Sequence, residues 1–322
     1  MAYWMELPNY PLSTFRQQRR NSKLTLRATY EEIRAYYIHY VKRHRLIDFF
    51  RNGCEVTSIE RIHPNTNDVL WEVRGHRIQD NSQFMIHAKY IVLASGMSHS
   101  TTRLLNIPNE KHTQSFTFTT YSEIENLIIE KQSLTSESKP LLIIGCGLTA
   151  VDVLLLCQQY SIPVLHVFRR SIDDYDLILN QLPASLYPEY ERIKDSMKTS
   201  CQIRSWSYQC FPQSEIISLN ENHSIQIRNL RTQTTNEFEI SFIARLTGTD
   251  IDLPFFSPFD RTKSTELDLN PYTYECLHFE NVYAIGALAG DRLVRFLQGG
   301  AFACAGNLMK TFFNHSQKTT KK

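Results

Sequence analysis

The stretch from Leu141 to Cys157 reads LLIIGCGLTAVDVLLLC, and it constrains the fold more than any other part of the sequence. A short apolar run ends at Gly145-Cys146-Gly147 and gives way to a second apolar run, the pattern of a strand, a tight turn and a helix. The segment IPVLHVFRRS follows, and its apolar part predicts a second strand. The sequence therefore predicts a βαβ unit of an α/β fold.

The turn fits the pattern G-x-G-x-x-A, with Ala150 as its last residue. In this pattern the first glycine allows the tight turn, and Gly147 lets the backbone approach a pyrophosphate. Ala150 is small enough for the helix and strand to pack closely. The start of the helix would present free N–H groups and a positive dipole end to the phosphates. We predict a dinucleotide site here.

Arg169 and Arg170 end the second predicted strand. A site for NAD has Asp or Glu near this point, which accepts hydrogen bonds from the ribose 2′-OH. A guanidinium group instead matches the oxygens of a 2′-phosphate. The pair therefore favours NADP over NAD, and the alternative is a solvated strand end.

Glycine is scarce elsewhere, with 11 in 322 residues, about half of its usual share of ~7%. Glycine is needed where φ is positive or where the backbone approaches a ligand closely. Eight glycines stand at the ends of apolar runs: Gly96, Gly145, Gly147, Gly248, Gly286, Gly290, Gly299 and Gly300.

Composition narrows the class of protein. At roughly 100–200 residues per domain the length predicts two or three domains, and 42% apolar residues exclude a disordered chain. A net charge of +2 gives no support for nucleic acid as a partner. Seven cysteines without a C-x-x-C pair predict reduced thiols and exclude the dithiol chemistry of disulfide reductases.

The chain carries no predicted membrane span, because its most apolar stretch is shorter than the ~20 residues that a span needs. Its first residues lack a basic segment followed by an apolar one, so we expect no signal peptide and a cytoplasmic or nuclear location. Eleven histidines show no metal-ligand spacing, and we predict no metal site.

Periodicity predicts helices at about 29–44, 186–198 and 299–313, the first with a capping box of Thr29 and Glu32. Strands are predicted at about 55–61, 69–73, 83–87, 89–94, 214–219, 224–229 and 237–246.

Three further strand ends resemble those of the flavin-dependent monooxygenases: VLASG (92–96), LTG (246–248) and VYAIG (282–286), the last followed by Gly290-Asp291. Longer motifs are similar to the oxidative stress-induced growth inhibitor family over about residues 5–312. These motifs read MELPNYPL, FRRSIDDYDLILNQLPASLYPEY and YAIGALAGDRLVRFLQGGAFACAGNLM.

The resemblance implies an FAD/NAD(P)-binding flavoprotein fold with two dinucleotide-binding domains. Residues 1–138 would form part of an FAD domain, 139–249 an inserted NADP domain, and 250–322 the return to the FAD domain with a C-terminal helix. In such oxidoreductases NADPH reduces FAD, and the reduced flavin meets oxygen. The family name adds a link to oxidative stress and to growth or cell-death control. The sequence does not identify a small-molecule substrate.

The resemblance also assigns roles to residues. Gly145, Gly147 and Ala150 would hold the NADP pyrophosphate, and Arg169 and Arg170 its 2′-phosphate. On the FAD side, the implied contacts are Gly96 and Gly248 at the domain junction, Gly286 at the last strand end, Asp291 at the ribityl or phosphate region, and Gln298, Gly299 and Gly300 opening a helix toward the flavin ring. No residue receives a catalytic role.

The sequence departs from this family pattern twice. No G-x-G-x-x-G precedes Leu141, so we expect the chain to begin after the first Rossmann unit of the fold. The monooxygenase signature F-x-G-x-x-x-H is unmatched in the stretch IPNEKHTQSFTFTTYSE, which offers only His112. Two functions stay open: an FAD- and NADPH-dependent monooxygenase-like enzyme, or a non-catalytic regulatory protein that acts through protein partners.

Two smaller features have alternatives of their own. Cys146 is either a small residue in a tight turn or a redox-sensitive thiol at a helix N-terminus. The basic segment 14–27 has four interpretations: a solvated face, a contact for an acidic partner, a contact for FAD phosphates, or a nuclear signal.

Overall fold

The computed structural model describes residues 5–18, 28–62, 69–97, 101–199, 206–259, 267–291 and 294–319. The helices are α1 (Leu12–Gln18), α2 (Tyr30–Arg43), α3 (Tyr121–Glu125), α4 (Leu148–Gln159), α5 (Ile178–Gln181), α6 (Pro188–Thr199) and α7 (Val294–Thr319). The strands are β1 (Cys54–Ile62), β2 (Leu70–Arg77), β3 (Gln83–Ala88), β4 (Ile91–Leu93), β5 (Thr101–Thr102), β6 (Thr117–Phe118), β7 (Leu141–Ile144), β8 (Val164–Val167), β9 (Tyr208–Phe211), β10 (Ser214–Leu219), β11 (Ser224–Asn229), β12 (Thr235–Glu239), β13 (Ile243–Arg245), β14 (Thr249–Asp250) and β15 (Val282–Ala284).

The chain divides into two compact units. Unit 1 comprises residues 1–101 and 250–322, and unit 2 comprises residues 102–249. The segment 102–138, which the sequence groups with the first domain, belongs to unit 2. The reason is visible in its packing, since β6 pairs with β13 and Ile124 lies in the core of that unit.

Unit 2 is built on a parallel sheet in the order β6-β13-β7-β8-β9. Successive residues of β7 point to opposite faces, so Leu141 and Ile143 pack with α4 while Leu142 and Ile144 pack with the antiparallel sheet β10-β11-β12. Because both faces are covered, every residue of β7 is buried. This is why the sequence reads as an unbroken apolar run.

Unit 1 contains an antiparallel sheet, β1-β2-β3, and a parallel pair, β4 with β15. Its core holds Trp71 and Phe256, whose rings lie 5.7 Å apart. The indole N–H of Trp71 donates to the carbonyl oxygen of Glu280 at 3.2 Å. The core therefore joins the antiparallel sheet to the segment that leads into β15.

The two N-terminal helices form a separate aromatic cluster in unit 1. The hydroxyl of Tyr36 donates to the carbonyl oxygen of Tyr10 at 2.6 Å. Thr29 caps α2 as predicted, accepting a hydrogen bond from the N–H of Glu32 at 3.2 Å. Only this half of the capping box forms, because the carboxylate of Glu32 binds Arg16 at 2.6 Å.

Two element predictions were wrong in detail. The strand predicted at 237–246 is two strands, because the chain leaves the antiparallel sheet after β12 and enters the parallel sheet as β13. The C-terminal helix includes Val294, five residues before its predicted start.

Within the described ranges, no helix combines the length and the apolar character needed to cross a bilayer.

The packing of α4 makes a stability prediction. Leu154 is fully buried in the core of unit 2, so Leu154→Ala leaves a cavity and lowers the free energy of unfolding by about 2–5 kcal/mol. Leu104 of the same unit is 53% exposed, and Leu104→Ala is the matched control, with an expected change below about 0.5 kcal/mol. Urea unfolding followed by circular dichroism measures both. Equal losses would contradict the assigned core.

Candidate functional site

The turn between β7 and α4 is shaped by its first glycine. Gly145 has φ +111°, and a Cβ atom added there would lie 2.3 Å from the carbonyl oxygen of Leu246. That atom is backbone of the neighbouring strand region and cannot swing away. Any side chain at position 145 would therefore force the turn away from β13.

Gly147 has a different environment. It is the N-cap residue of α4, in extended backbone conformation, and an added Cβ atom would meet nothing within 4 Å. No side chain caps the helix. In the described part of the chain, the N–H groups of Cys146 and Gly147 bind no acceptor. Free N–H groups at the open end of a twelve-residue helix form a site that suits an anion.

Ala150 completes the motif on the inner side. It is fully buried between α4 and the sheet. A larger side chain would push the helix away from the strand, which agrees with the small residue that the pattern requires at this position.

A buried histidine holds the turn from inside unit 2. His166 lies on β8 with no exposed surface, and its Nε2 atom is 2.8 Å from the carbonyl oxygen of Gly145. Its Nδ1 atom is 2.9 Å from the hydroxyl of Tyr208. Burial lowers the pKa of His166 to about 4, so the imidazole is neutral at ordinary pH. Since a carbonyl oxygen can only accept, Nε2 carries the proton and Nδ1 accepts from Tyr208.

The two arginines after β8 differ in their surroundings. Arg170 is 3.2 Å from the carboxylates of both Asp174 and Asp176, and the hydrogen bond to Asp176 raises its pKa. Arg169 is exposed and has no carboxylate partner among the described residues. Arg169 is thus the cation of the pair that is ready to bind a phosphate.

In unit 1 the parallel strands β4 and β15 are followed within three residues by Gly96 and Gly286, both with positive φ. Asp291 follows on the β15 side, and its N–H donates to the carbonyl oxygen of Gly286 at 3.1 Å. The Oδ2 atom of Asp291 is buried and has no hydrogen-bond partner among the described residues. A buried carboxylate oxygen without a donor is suited to receive a ligand hydroxyl.

Helix α7 approaches that carboxylate closely. A Cβ atom on Gly300 would lie 2.7 Å from Oδ2 of Asp291 and 2.8 Å from the ring of Tyr274. The hydroxyl of Tyr274 is 3.4 Å from the other oxygen, Oδ1. Glycine at position 300 therefore lets the backbone of α7 pack directly against the side chains of Asp291 and Tyr274.

The predicted position of Gln298, Gly299 and Gly300 at the helix start is corrected, while their contact with flavin stays a prediction. Because α7 includes Val294, these three residues lie beyond its first turn, where backbone N–H groups are already bonded within the helix. The side-chain amide of Gln298 donates to the carbonyl oxygen of Glu6. The helix end that could face a ligand lies earlier in the chain.

Gly248 ends the β13 segment with positive φ, and its carbonyl oxygen accepts from the N–H of Arg103 at 3.0 Å. The proximity of Gly96 and Gly248 to one cofactor stays a prediction.

Sequence reasoning missed His166 and its partner Tyr208. The signal was present, because a histidine in the middle of the buried strand Val164–Val167 needs hydrogen-bond partners. It also missed Arg245, which ends β13 and binds Glu110 at 2.6 Å. The two carboxylate oxygens of Glu110 in turn accept from the backbone N–H of Leu105, at 2.9 and 3.0 Å.

The remaining candidates have structural roles or lie outside the described residues. Burial raises the pKa of Cys146 to about 12, which argues against the redox-sensitive thiol. His112 is exposed and lies 3.2 Å from Glu221. Most of the basic segment 14–27 lies outside the described residues, and Arg16 within it binds Glu32. Six cysteines are described, all as free thiols, and the described ranges hold no cluster of metal-binding side chains.

The two glycines of the turn make opposite predictions for stability. Gly145→Ala places a methyl group against backbone and requires a strained φ, so we expect a loss of several kcal/mol or failure to fold. Gly147→Ala adds a methyl group in open space, and its unfolding free energy should stay within about 1 kcal/mol of wild type. Thermal unfolding compares the two. A stable Gly145→Ala variant would contradict the close approach to Leu246.

The overall arrangement is similar to known FAD/NAD(P)-binding flavoprotein structures. Bacillithiol disulfide reductase from Bacillus cereus superposes with a TM-score of 0.65 at 15% identity, over 96% of this chain and 83% of that one. Ornithine hydroxylase from Pseudomonas aeruginosa gives 0.53 at 16% identity, over 85% and 74%. The cadaverine monooxygenase from Erwinia amylovora, whose structure holds FAD, gives 0.54 at 15% identity, over 91% and 76%. These likenesses establish the predicted α/β fold class.

No protein-family model matches the chain. Individual relatives do match. The chain is 33% identical to human oxidative stress-induced growth inhibitor 1 over 331 residues, which is 95% of this chain and 68% of the human protein. It is 32% identical to human oxidative stress-induced growth inhibitor 2, over 92% of this chain and 66% of that protein. A Caenorhabditis elegans homologue is 29% identical over 95% of the chain. The chain therefore belongs to the oxidative stress-induced growth inhibitor family.

Proposed function

We propose that this protein is an NADPH-dependent flavoprotein oxidoreductase of the monooxygenase type. The observation that carries the proposal is the turn in unit 2, where Gly145 packs against Leu246 while Gly147 leaves open space before unpaired N–H groups. This arrangement suits the pyrophosphate of a dinucleotide. Its fold neighbours include an ornithine hydroxylase and a monooxygenase bound to FAD.

In this proposal each part of unit 2 has a task in binding NADPH. The N–H groups of Cys146 and Gly147 donate to the pyrophosphate, and the dipole of α4 adds a favourable potential. Arg169 binds the 2′-phosphate. Arg170 joins it only after leaving Asp174 and Asp176.

The flavin would lie in unit 1, at the carboxyl ends of β4 and β15. Asp291 fits the ribityl chain because its buried Oδ2 atom lacks a donor that a ligand hydroxyl would supply. Gly300 lets α7 pack against this carboxylate, since a Cβ atom there would lie 2.7 Å from Oδ2. Bound FAD would supply a hydride acceptor for NADPH and a site for reduction of oxygen. The chain's own contribution is to bind and orient the two dinucleotides.

A second candidate is a regulatory protein that keeps the fold and acts through protein partners in growth or cell-death control. The names of the human relatives refer to growth inhibition rather than to a reaction. Bound flavin separates the two candidates.

The flavin prediction is tested by absorption. Protein mixed with FAD and freed of excess cofactor should retain a flavin band, and NADPH should bleach this band without oxygen. Asp291→Asn should retain less flavin, because the amide replaces an acceptor oxygen with a donor. Asp268→Asn is the control, since Asp268 is an exposed carboxylate of the same unit that pairs with His278. A folded but colourless wild-type protein would favour the regulatory candidate.

The arginine pair predicts cofactor preference. Arg169→Ala should weaken NADPH binding about 10- to 100-fold, the loss of a charged hydrogen-bond partner, and leave NADH binding nearly unchanged. Arg170→Ala should have a smaller effect, because Arg170 already binds two carboxylates. Titration calorimetry with both dinucleotides measures this. Equal losses for NADPH and NADH would reject the 2′-phosphate assignment.

A further inference from the structure

We propose that His166 is a positioning residue for dinucleotide binding, which aims the N–H of Cys146 out of the turn by anchoring the carbonyl of Gly145. The inference rests on the proposed function, since it concerns how the same turn receives a pyrophosphate. It goes further by assigning a positioning role to His166, a buried side chain that would not itself contact the dinucleotide.

The argument begins with the geometry of one peptide group. The carbonyl of Gly145 and the N–H of Cys146 belong to the same trans peptide plane, so they point in opposite directions. His166 holds the carbonyl oxygen at 2.8 Å inside unit 2. The N–H of Cys146 must then point away from the core. It has no acceptor among the described residues.

Glycine makes this anchor necessary. Gly145 has no Cβ atom, and glycine populates positive and negative φ about equally, so the following peptide group could rotate at little steric cost. A rotated peptide would turn the carbonyl oxygen toward the phosphate site, where its partial negative charge repels an anion. The hydrogen bond from His166 selects the orientation that presents a donor.

Tyr208 keeps the imidazole of His166 in the tautomer that donates a hydrogen bond from Nε2 to the carbonyl oxygen of Gly145. Its hydroxyl donates to Nδ1 at 2.9 Å, which leaves the proton of His166 on Nε2. The Cys210 thiol adjoins the same hydroxyl. Tyr208 and Cys210 lie on β9, which pairs with β8, so the neighbouring strand supplies the hydroxyl that holds the ring.

The test compares three variants. His166→Phe keeps a ring of similar size without a donor, and His166→Gln restores an amide N–H. Trp206→Phe is the matched control. It removes another buried hydrogen bond from the same core, that of the indole N–H to the carbonyl oxygen of Ile162 at 2.6 Å, which lies before β8 rather than at the turn.

We expect His166→Phe to weaken NADPH and NADH binding by the same factor, about five- to tenfold. Equal losses are expected because the pyrophosphate is common to both dinucleotides. His166→Gln should recover most of the affinity for both dinucleotides. Trp206→Phe should be less stable than wild type but should bind both dinucleotides with wild-type affinity. Wild-type affinity in His166→Phe, or an equal loss in Trp206→Phe, would overturn the inference.

A second measurement works without any dinucleotide. In protein labelled with ¹⁵N-cysteine, the Cys146 amide signal is identified by its loss in Cys146→Ser. We expect one sharp signal in wild type and a broadened or doubled signal in His166→Phe, because the peptide then takes two orientations. An unchanged signal would overturn the inference. If wild type binds neither dinucleotide but the signal splits, the proposed function fails while the anchoring role stands.

Discussion

The absence of a side chain at Gly145 is the constraint on which unit 2 depends. Without a Cβ atom the turn approaches the backbone at Leu246, and β7 and β13 then end at the same edge of the sheet. That packing leaves the N-terminus of α4 open beyond Gly147. A close approach on one side of the turn and free space on the other are what a phosphate site requires. The proposed binding of a dinucleotide depends on this contrast between Gly145 and Gly147.

The arginines of unit 2 differ in whether a carboxylate binds them. Arg245 and Glu110 form a nearly buried ion pair that ties the end of β13 to the segment before β6. Arg170 is held by two carboxylates at the surface, where such pairs contribute little to stability. Arg169 is left to interact with a ligand. A phosphate would thus meet one cation with no competing ion pair and a second one that can exchange its partners.

Much of this architecture could be predicted from the sequence. The apolar run before Gly145, the small residue at Ala150 and the strand after the helix define a local unit, and local patterns are readable because periodicity and turn chemistry agree. The motifs shared with the growth inhibitor family extended the prediction to the fold. Thr29 was also correctly identified as a helix cap, because capping depends on neighbours in sequence.

The missed features depend on residues far apart in sequence. His166 and Tyr208 are 42 positions apart, and nothing near either residue reveals that they meet. Arg245 and Glu110 are separated by 135 positions. The bend between β12 and β13 was missed because Ile240-Ser241-Phe242, which joins the two strands, contains no glycine or proline to mark a turn. The start of α7 was placed too late, at the paired glycines, whereas Gly300 lies within the helix and serves the close approach to Asp291.

The central claim is that the turn at Gly145–Gly147 binds the pyrophosphate of a dinucleotide. A crystal structure of the protein grown with NADP⁺ tests it most directly. The account predicts pyrophosphate oxygens within hydrogen-bond distance of the N–H groups of Cys146 and Gly147, with the 2′-phosphate beside Arg169. A dinucleotide bound elsewhere on the chain, or none bound at saturating concentration, would contradict it.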